Sequence, residues 1–180
     1  MADVDLTELV TCTRCRLATT RQRVVVGSGP RHPSVVVVGE APGRQEDEGG
    51  EPFIGRSGQL LFRLLGEIGL ARADCFVTNV VKCRPPANRT PRPDEVAACA
   101  PWFAAQITGL GPAPLLCLGA TAARSVFGGA RGIGVIHGRV FDLEGRRGLA
   151  TYHPAAALRG GERVVSIMRE DLGVLRGLLA

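Results

Sequence analysis

The residues of this sequence best suited to chemistry are its cysteines. Cys12 and Cys15 form a CxxC pair in a polar, basic stretch, and two thiolates at that spacing can bind one metal. Cys83 and Cys99 follow later, and a fold that brings them to this pair would complete a set of four soft ligands. Four thiolates suit zinc and an iron–sulfur cluster equally well, so the spacing leaves that choice open.

The two remaining cysteines, Cys75 and Cys117, lie in apolar runs that predict strands, where a thiol packs as a small hydrophobe. A thioredoxin-like role for the CxxC pair is disfavoured because it precedes the first predicted strand. The first ten residues carry acids where a secretory signal would carry bases, and no apolar run approaches the roughly 18 residues that span a bilayer. We therefore expect a cytoplasmic protein without a membrane span or a disulfide framework.

Polar side chains also follow the predicted strands. Glu40 opens an acidic loop after the first strand, Asn79 ends the second, and His153 ends the last. An isolated Asn or His more often caps or turns the chain. The carboxyl ends of parallel strands meet at one edge of a sheet, where ligands bind, so these residues together predict a functional site.

Strand and helix alternate along the chain. Short β-branched or apolar runs bounded by Gly, Pro or charged turns predict buried parallel strands over 35–39, 75–81, 115–119 and 149–153. Helical spacing of apolar residues predicts a helix that begins at a Ser57 N-cap and ends near Gly69. We therefore expect an α/β fold with a mostly parallel sheet flanked by helices.

Two further helices follow the same spacing. The first begins after Pro93, carries Cys99 on its inner face and is expected to kink or restart at Pro101. The last follows Glu162 and has an ordinary apolar stripe. The Pro-rich stretch 84–93 is too short to divide two domains, so residues 1–180 are expected to form one domain.

The composition is that of a globular protein with a basic surface. Of its 180 residues 45% are hydrophobic, and the mean hydropathy of +0.12 excludes a disordered chain. The formal net charge is +5, and Lys82 is the single lysine among 22 basic residues. This balance predicts an anionic partner such as nucleic acid, although codon bias in a GC-rich genome explains the arginine excess equally well.

Several segments occur in a characteristic order along the chain: CTRC, VVVVGEAPGRQEDEGGEPFIGRSGQLL, VTNVVKCRPPANRTP, the later Cys99, and HPAAALR. This combination resembles the family 4 uracil-DNA glycosylases, the iron–sulfur members of their superfamily in bacteria and archaea. The resemblance implies a three-layer α/β/α sandwich around a four-stranded parallel sheet and hydrolysis of the N-glycosidic bond of uracil in DNA. It also implies a [4Fe–4S] cluster whose ligands match Cys12, Cys15, Cys83 and Cys99.

The resemblance gives roles to the strand-end residues. Uracil must be flipped out of a duplex, and Phe53 matches the residue that stacks on it, although Phe53 could also simply hold its loop to the core. Asn79 would accept from uracil N3–H and donate to O4, a pattern that cytosine does not match. His153 would donate to O2 as negative charge develops on the leaving base.

The attacking water needs another group, because Ala41 occupies the place where better-known families of the superfamily carry Asp or Asn. Glu40 and Glu46 are the alternatives for holding the water, and Glu46 could instead exclude the methyl group of thymine. Gly39 and Ala41 are expected to complete the part of the loop that contacts the base.

DNA needs contacts outside the pocket. A basic group beside two of the cysteines is expected to contact phosphates: Lys82, Arg84, Arg89 and Arg92. Leu158 and Arg159 are expected to fill the gap left by the flipped base, or only to pack the start of a helix. The expected partner of this monomeric, nucleoid-associated protein is uracil-containing DNA, double- or single-stranded.

Two other functions stay open on the sequence. A non-catalytic module would use the four thiolates for zinc and the basic loop for nucleic acid. A related uracil-DNA binder that forms a covalent adduct would need a nucleophilic His between the second strand and the next helix, and residues 83–99 contain none. Water is therefore the expected nucleophile, and iron content separates a cluster from zinc.

Overall fold

A computed structural model describes residues 6–129, 131–143 and 145–179. Within these ranges one sheet contains five strands: β1 (Val35–Gly39), β2 (Cys75–Asn79), β3 (Leu115–Leu118), β4 (Val140–Leu143) and β5 (Arg146–Thr151). They lie side by side in the order β2-β1-β3-β5-β4. Four strands are parallel, and the edge strand β4 runs antiparallel to β5.

The predicted α/β fold with a parallel sheet is confirmed, but the count of four strands omitted β4. The interior strand β1 is buried at all five positions, as its continuous valine run predicts for a strand covered on both faces. By contrast, β4 has four residues that alternate between exposed and half-buried positions. A short edge strand of this kind has no apolar run that marks it in the sequence.

Helices cover both faces of the sheet. Their bounds are α1 (Arg44–Gly49), α2 (Arg56–Glu67), α3 (Pro93–Thr108), α4 (Ala120–Phe127), α5 (Ile133–Ile136), α6 (Pro154–Gly160) and α7 (Glu162–Leu178). Short 3₁₀ helices cover Leu6–Thr11, Arg16–Thr19, Arg72–Asp74 and Pro86–Asn88. No helix of the described chain is long and apolar enough to cross a membrane.

The predicted N-cap of α2 was wrong, and the helix that follows Arg92 does not restart at Pro101. The N-cap of α2 is Gly55, and Ser57 lies in the first turn without capping it. Pro101 lies inside α3, which continues to Thr108 as one element. Proline removes one backbone hydrogen bond of a helix, and the buried Trp102 and Gln106 keep the following turns of α3 packed in place.

The core has one part on each side of the sheet, which makes the molecule a three-layer sandwich. On one side, α2, α6 and α7 pack on the strands through residues such as Leu61, Ala157 and Met168. On the other side lie the amino-terminal 3₁₀ helices, α3 and α4, with Leu9 and Trp102 buried among them. The expected α/β/α layering is confirmed.

Gly58 determines how closely α2 approaches the loop before it. A Cβ atom at this position would overlap the backbone carbonyl group of Phe53, and backbone cannot move aside as a flexible side chain can. Gly66 lies in the same helix, and a Cβ there would meet no atom within 4 Å.

We expect Gly58→Ala to destabilise the protein and displace Phe53, whereas Gly66→Ala should stabilise it by about 0.5–1 kcal/mol through helix propensity. Urea unfolding monitored by circular dichroism measures both changes. A Gly58→Ala protein at least as stable as the wild type would contradict the close approach of α2 to Phe53.

Candidate functional site

A pocket of about 530 Å³ opens at the carboxyl ends of the parallel strands. Most of the site residues predicted from the sequence line it: Glu40, Ala41, Glu46, Phe53, Asn79, Arg89, His153 and Arg159. Gly39 contacts two of these residues from the end of β1, whereas Arg84 and Leu158 lie outside the lining. The topology therefore gathers residues that are more than a hundred positions apart in sequence.

Asn79 ends β2 and pairs in register with Gly39 of β1. Asn79 is only 2% exposed, and its Oδ1 atom has no hydrogen-bond partner among the described atoms. A Cβ on Gly39 would overlap Asn79 Oδ1 and lie 2.6 Å from the Phe53 ring, so only glycine lets these side chains converge. A buried unpaired acceptor is costly, and a ligand with an N–H group would satisfy it.

Phe53 approaches Asn79 over Gly39 and also lines the pocket. Its backbone φ of 56° is in the left-handed region, which a bulky residue rarely adopts. Its ring centroid is 5.9 Å from that of His153, with the ring planes 33° apart. The Phe53 side chain is also part of the core cluster beneath α2, so it fixes its loop and lines the pocket at the same time.

His153 is positioned by the start of α6. Its Nδ1 accepts a hydrogen bond from the Ala155 backbone N–H at 3.1 Å, so the proton of the neutral ring is on Nε2. Burial of the ring and the nearby positive charge of Arg159 lower the pKa of His153 to about 4. Gly119, with a φ of 87°, lies against the His153 Cβ. At neutral pH the site therefore offers an uncharged Nε2–H donor.

The two candidate carboxylates differ in their surroundings. Glu46 Oε1 accepts the backbone N–H of Gly55 at 2.8 Å, so this side chain fastens the loop that carries Phe53. The Glu40 side chain lines the pocket and makes no hydrogen bond or ion pair with other described residues. Both Glu40 oxygens are thus without a partner among the described protein residues, whereas one oxygen of Glu46 is engaged.

Sequence reasoning missed several polar residues of the pocket. Asn88, Thr90 and Tyr152 all line it. Asn88 has a left-handed backbone with a φ of 53°, and its Oδ1 accepts from Arg84 Nε at 2.7 Å. Asn tolerates this conformation better than most residues, which was the one available signal within the Pro-rich loop.

All four predicted metal ligands line a second, small cavity between the amino-terminal segment, the loop after β2 and α3: Cys12, Cys15, Cys83 and Cys99. Cys75 and Cys117 lie apart from it, fully buried in β2 and β3. Burial raises the pKa of Cys75 to about 12 and that of Cys83 to about 11. Of the six cysteines, only the four predicted ligands line this common cavity.

Three of these four sulfurs accept hydrogen bonds from N–H donors. Trp102 Nε1 donates to Cys12 at 3.3 Å, Arg21 Nη1 donates to Cys83 at 3.4 Å, and the Lys82 backbone N–H donates to Cys99 at 3.3 Å. Such bonds stabilise thiolate charge, as in metal-bound cysteines.

Across the described residues, no three His, Cys or acidic side chains converge tightly enough to hold a single metal ion. A mononuclear zinc site needs all its sulfurs about 2.3 Å from one ion. An iron–sulfur cluster takes each cysteine on a separate iron, and the four thiols around this cavity are the number of ligands that such a cluster needs.

Comparison with known proteins agrees with this geometry. Residues 26–172 match the model of the uracil DNA glycosylase superfamily. This chain belongs to that superfamily. It is 44% identical over 164 residues to the Type-4 uracil-DNA glycosylase of Thermotoga maritima, covering 89% of this chain and 85% of the relative. It is 42% identical over 159 residues to the Type-4 enzyme of Archaeoglobus fulgidus, covering 84% and 80%.

The basic residues expected on the surface of this superfamily member have different environments. Lys82 is fully buried, so the prediction that it contacts phosphates was wrong: its ammonium group is held by Thr78, Asn79 and Gln106. Arg89 forms two hydrogen bonds to the buried carboxylate of Glu95, at 2.7 and 2.8 Å.

The other predicted DNA contacts remain accessible. Arg92 and Arg159 are exposed, Arg84 is half-buried, and Leu158 is 44% exposed on α6. Leu158 is thus partly accessible at the surface, next in sequence to the pocket residue Arg159.

We expect His153 to make stability pH-dependent. Because its pKa is about 4 in the folded protein and 6.5 ordinarily, the unfolded chain binds the proton more readily between these values. The contribution of His153 is therefore complete above pH 6.5 and is lost as the pH falls towards 4. Urea unfolding at about pH 7 and about pH 4.5 measures the effect. Acidification should lower the free energy of unfolding less in His153→Ala than in the wild type.

The exposed His32 provides the matched control for this measurement. His32→Ala should lose as much stability on acidification as the wild type. Equal losses in His153→Ala and His32→Ala would show that the His153 ring is not kept neutral by the fold.

Proposed function

We propose that this chain, a uracil-DNA glycosylase of DNA repair, flips uracil into the 530 Å³ pocket and hydrolyses its N-glycosidic bond. The observation that carries the proposal is the unpaired, buried Oδ1 of Asn79 beside Phe53 and the Nε2–H of His153. The products are free uracil and an abasic site, as in the first step of base excision repair.

Recognition of uracil follows from the donors and acceptors of the pocket. Asn79 Oδ1 accepts the N3–H of uracil, and the amide of Asn79 donates to O4. Cytosine has no proton on N3 and carries an amino group at C4. It therefore leaves both the oxygen and the NH₂ group of the Asn79 side chain without a hydrogen-bond partner. Stacking on Phe53 contributes about 1–3 kcal/mol towards the cost of flipping the base.

Bond cleavage places negative charge on the base and positive character on the sugar. His153 Nε2–H donates to uracil O2 and stabilises the departing anion, a role that needs no charge on the ring. The bond between C1′ and N1 breaks with its electron pair on N1, water oxygen bonds to C1′, and the proton of that water passes through Glu40 to solvent. Glu46, whose Oε1 is held by Gly55, is proposed to shape the pocket near C5.

Water is the nucleophile in this proposal because the described part of the pocket offers no spare histidine to attack the sugar, and Glu40 is assigned to holding the water. His153 is the one histidine among the described lining residues, and its Nδ1 is engaged with Ala155. A covalent sugar adduct would require a second nucleophile at the anomeric carbon.

We further propose that the four cysteines bind a [4Fe–4S] cluster, which would supply strong bonds that join three separate segments. Their N–H donors and their shared cavity support this ligand set. Cys12 and Cys15 hold the amino-terminal segment, Cys83 the loop after β2, and Cys99 α3. The cluster would thereby anchor the start of the loop that carries Asn88 and Arg89 to the pocket.

The half-exposed or exposed arginines are proposed to contact DNA phosphates: Arg84, Arg89, Arg92 and Arg159. Leu158 is proposed to enter the space that the flipped base leaves. These DNA contacts rest on the exposure and charge of the side chains. We also propose that the protein acts as a monomer on double- or single-stranded DNA, in the cytoplasm with the nucleoid.

We expect Asn79→Ala and His153→Ala each to slow single-turnover uracil excision by at least about 10²-fold, since each removes a positioned hydrogen bond to the reacting base. His32→Ala is the matched control and should excise normally. The assay uses labelled oligonucleotides with one uracil, cleaved by alkali at abasic sites, in the presence of EDTA.

A requirement for added magnesium would contradict glycosidic hydrolysis, which needs no phosphate activation. A stoichiometric protein–DNA band that survives boiling in detergent would contradict water as the nucleophile. Near-normal excision by either pocket variant would remove its proposed role.

For the cluster, we expect Cys12→Ser to lose iron and thermal stability, while Cys117→Ser keeps its iron. Iron per chain, measured with a ferrous chelator after acid release, separates the two. Equal iron loss in both variants would mean that the ligand set is wrong.

A further inference from the structure

The structure places Lys82, the only lysine of the chain, between the cysteine cavity and the uracil pocket. Lys82 is 0% exposed. Its Nζ donates to Thr78 Oγ1 at 2.6 Å and to the Asn79 backbone carbonyl at 2.7 Å, both at the end of β2. A third bond, to Gln106 Oε1 at 2.5 Å, joins it to α3.

The backbone of the same residue faces the cysteines. The Lys82 N–H donates to Cys99 Sγ at 3.3 Å, and the next residue is Cys83. The Lys82 side chain also crosses the Phe103 ring, with Nζ 5.4 Å from its centroid. One residue is thus bonded to a proposed cluster ligand through its main chain and to the uracil-reading residue through its side chain.

No described carboxylate pairs with this ammonium group. A buried cation is unfavourable without opposite charge, and the neutral oxygens around Nζ satisfy its hydrogen bonds without supplying that charge. The cysteine sulfurs that share its cavity are anionic when they bind iron, and they would supply it.

We propose that Lys82 is a positioning residue that couples the cysteine site to the uracil pocket by holding the Asn79 main chain in register with Cys99. This inference rests on the proposed function, in which Asn79 reads uracil. Because coupling between two sites is reciprocal, uracil binding should stabilise the cluster as much as the cluster favours uracil.

The first experiment measures the rise in melting temperature of the purified holoprotein on addition of free uracil. Wild-type protein should show a rise, and Lys82→Met should show little, with about tenfold slower single-turnover excision, the effect of about one positioned hydrogen bond. Iron per chain should be unchanged in Lys82→Met, because the backbone N–H to Cys99 does not depend on the side chain. Met168→Leu, a core change on the opposite side of the sheet, is the matched control and should respond normally.

The second experiment combines the variants. In an Asn79→Ala background, Lys82→Met should slow excision no further, because its effect passes through Asn79. Independent, multiplying effects would overturn the coupling. If Lys82→Met does not fold, Gln106→Leu takes its place in the same comparison, because this variant removes one hydrogen bond of the Lys82 ammonium group.

The third experiment follows iron release to a ferrous chelator with and without uracil. Uracil should slow the release several-fold in the wild type and not in Lys82→Met; no effect in the wild type would overturn the coupling. A normal uracil response of Asn79→Ala alone would instead refute the proposed reading role of Asn79. Absence of iron from the wild type would refute the proposed cluster.

Discussion

The parallel pairing of β1 with β2 is the constraint on which the rest of the site depends. It sets Gly39 opposite Asn79, and the missing Cβ of Gly39 leaves the space into which Asn79 Oδ1 and the Phe53 ring converge. A slip of one residue would turn every side chain of the strand to the other face. β1 is buried at all five positions and β2 at four of five, so their apolar packing keeps that register.

The site breaks several local rules that the surrounding core can tolerate. Asn79 has an unpaired buried acceptor, Phe53 has a left-handed backbone, and Lys82 is a buried cation without a carboxylate. The unpaired acceptor and the left-handed backbone are each unfavourable by about 1–3 kcal/mol, and a buried charge without a counter-charge is more so. They lie next to one another at the carboxyl edge of a sheet with a continuous core on each side. Unfavourable groups concentrated at one edge are typical of a site that is prepared for a ligand.

The sequence predicted structure correctly where a residue pattern has a single physical explanation. Valine runs predicted the parallel strands, and the polar residues at their ends predicted the pocket, because parallel strands share an edge. The edge strand β4 escaped prediction because four half-exposed residues have no period that distinguishes them. The prediction for Lys82 was wrong because a charged residue in a segment rich in Arg and Pro is expected to be exposed to solvent. Only the packing of α3 against β2 shows that Thr78 and Gln106 enclose it.

The protonation state of His153 illustrates how a fold couples stability to chemistry. A helix beginning at Pro154 leaves the Ala155 N–H without a partner inside the helix, and His153 Nδ1 accepts it. A proton on Nδ1 would break that cap and place a cation near Arg159. The bond that starts α6 therefore also keeps Nε2–H as the single donor of a neutral ring. Formation of the helix and preparation of the leaving-group donor are consequently one event, so a change that unwinds the start of α6 must also alter the acid–base state of the pocket.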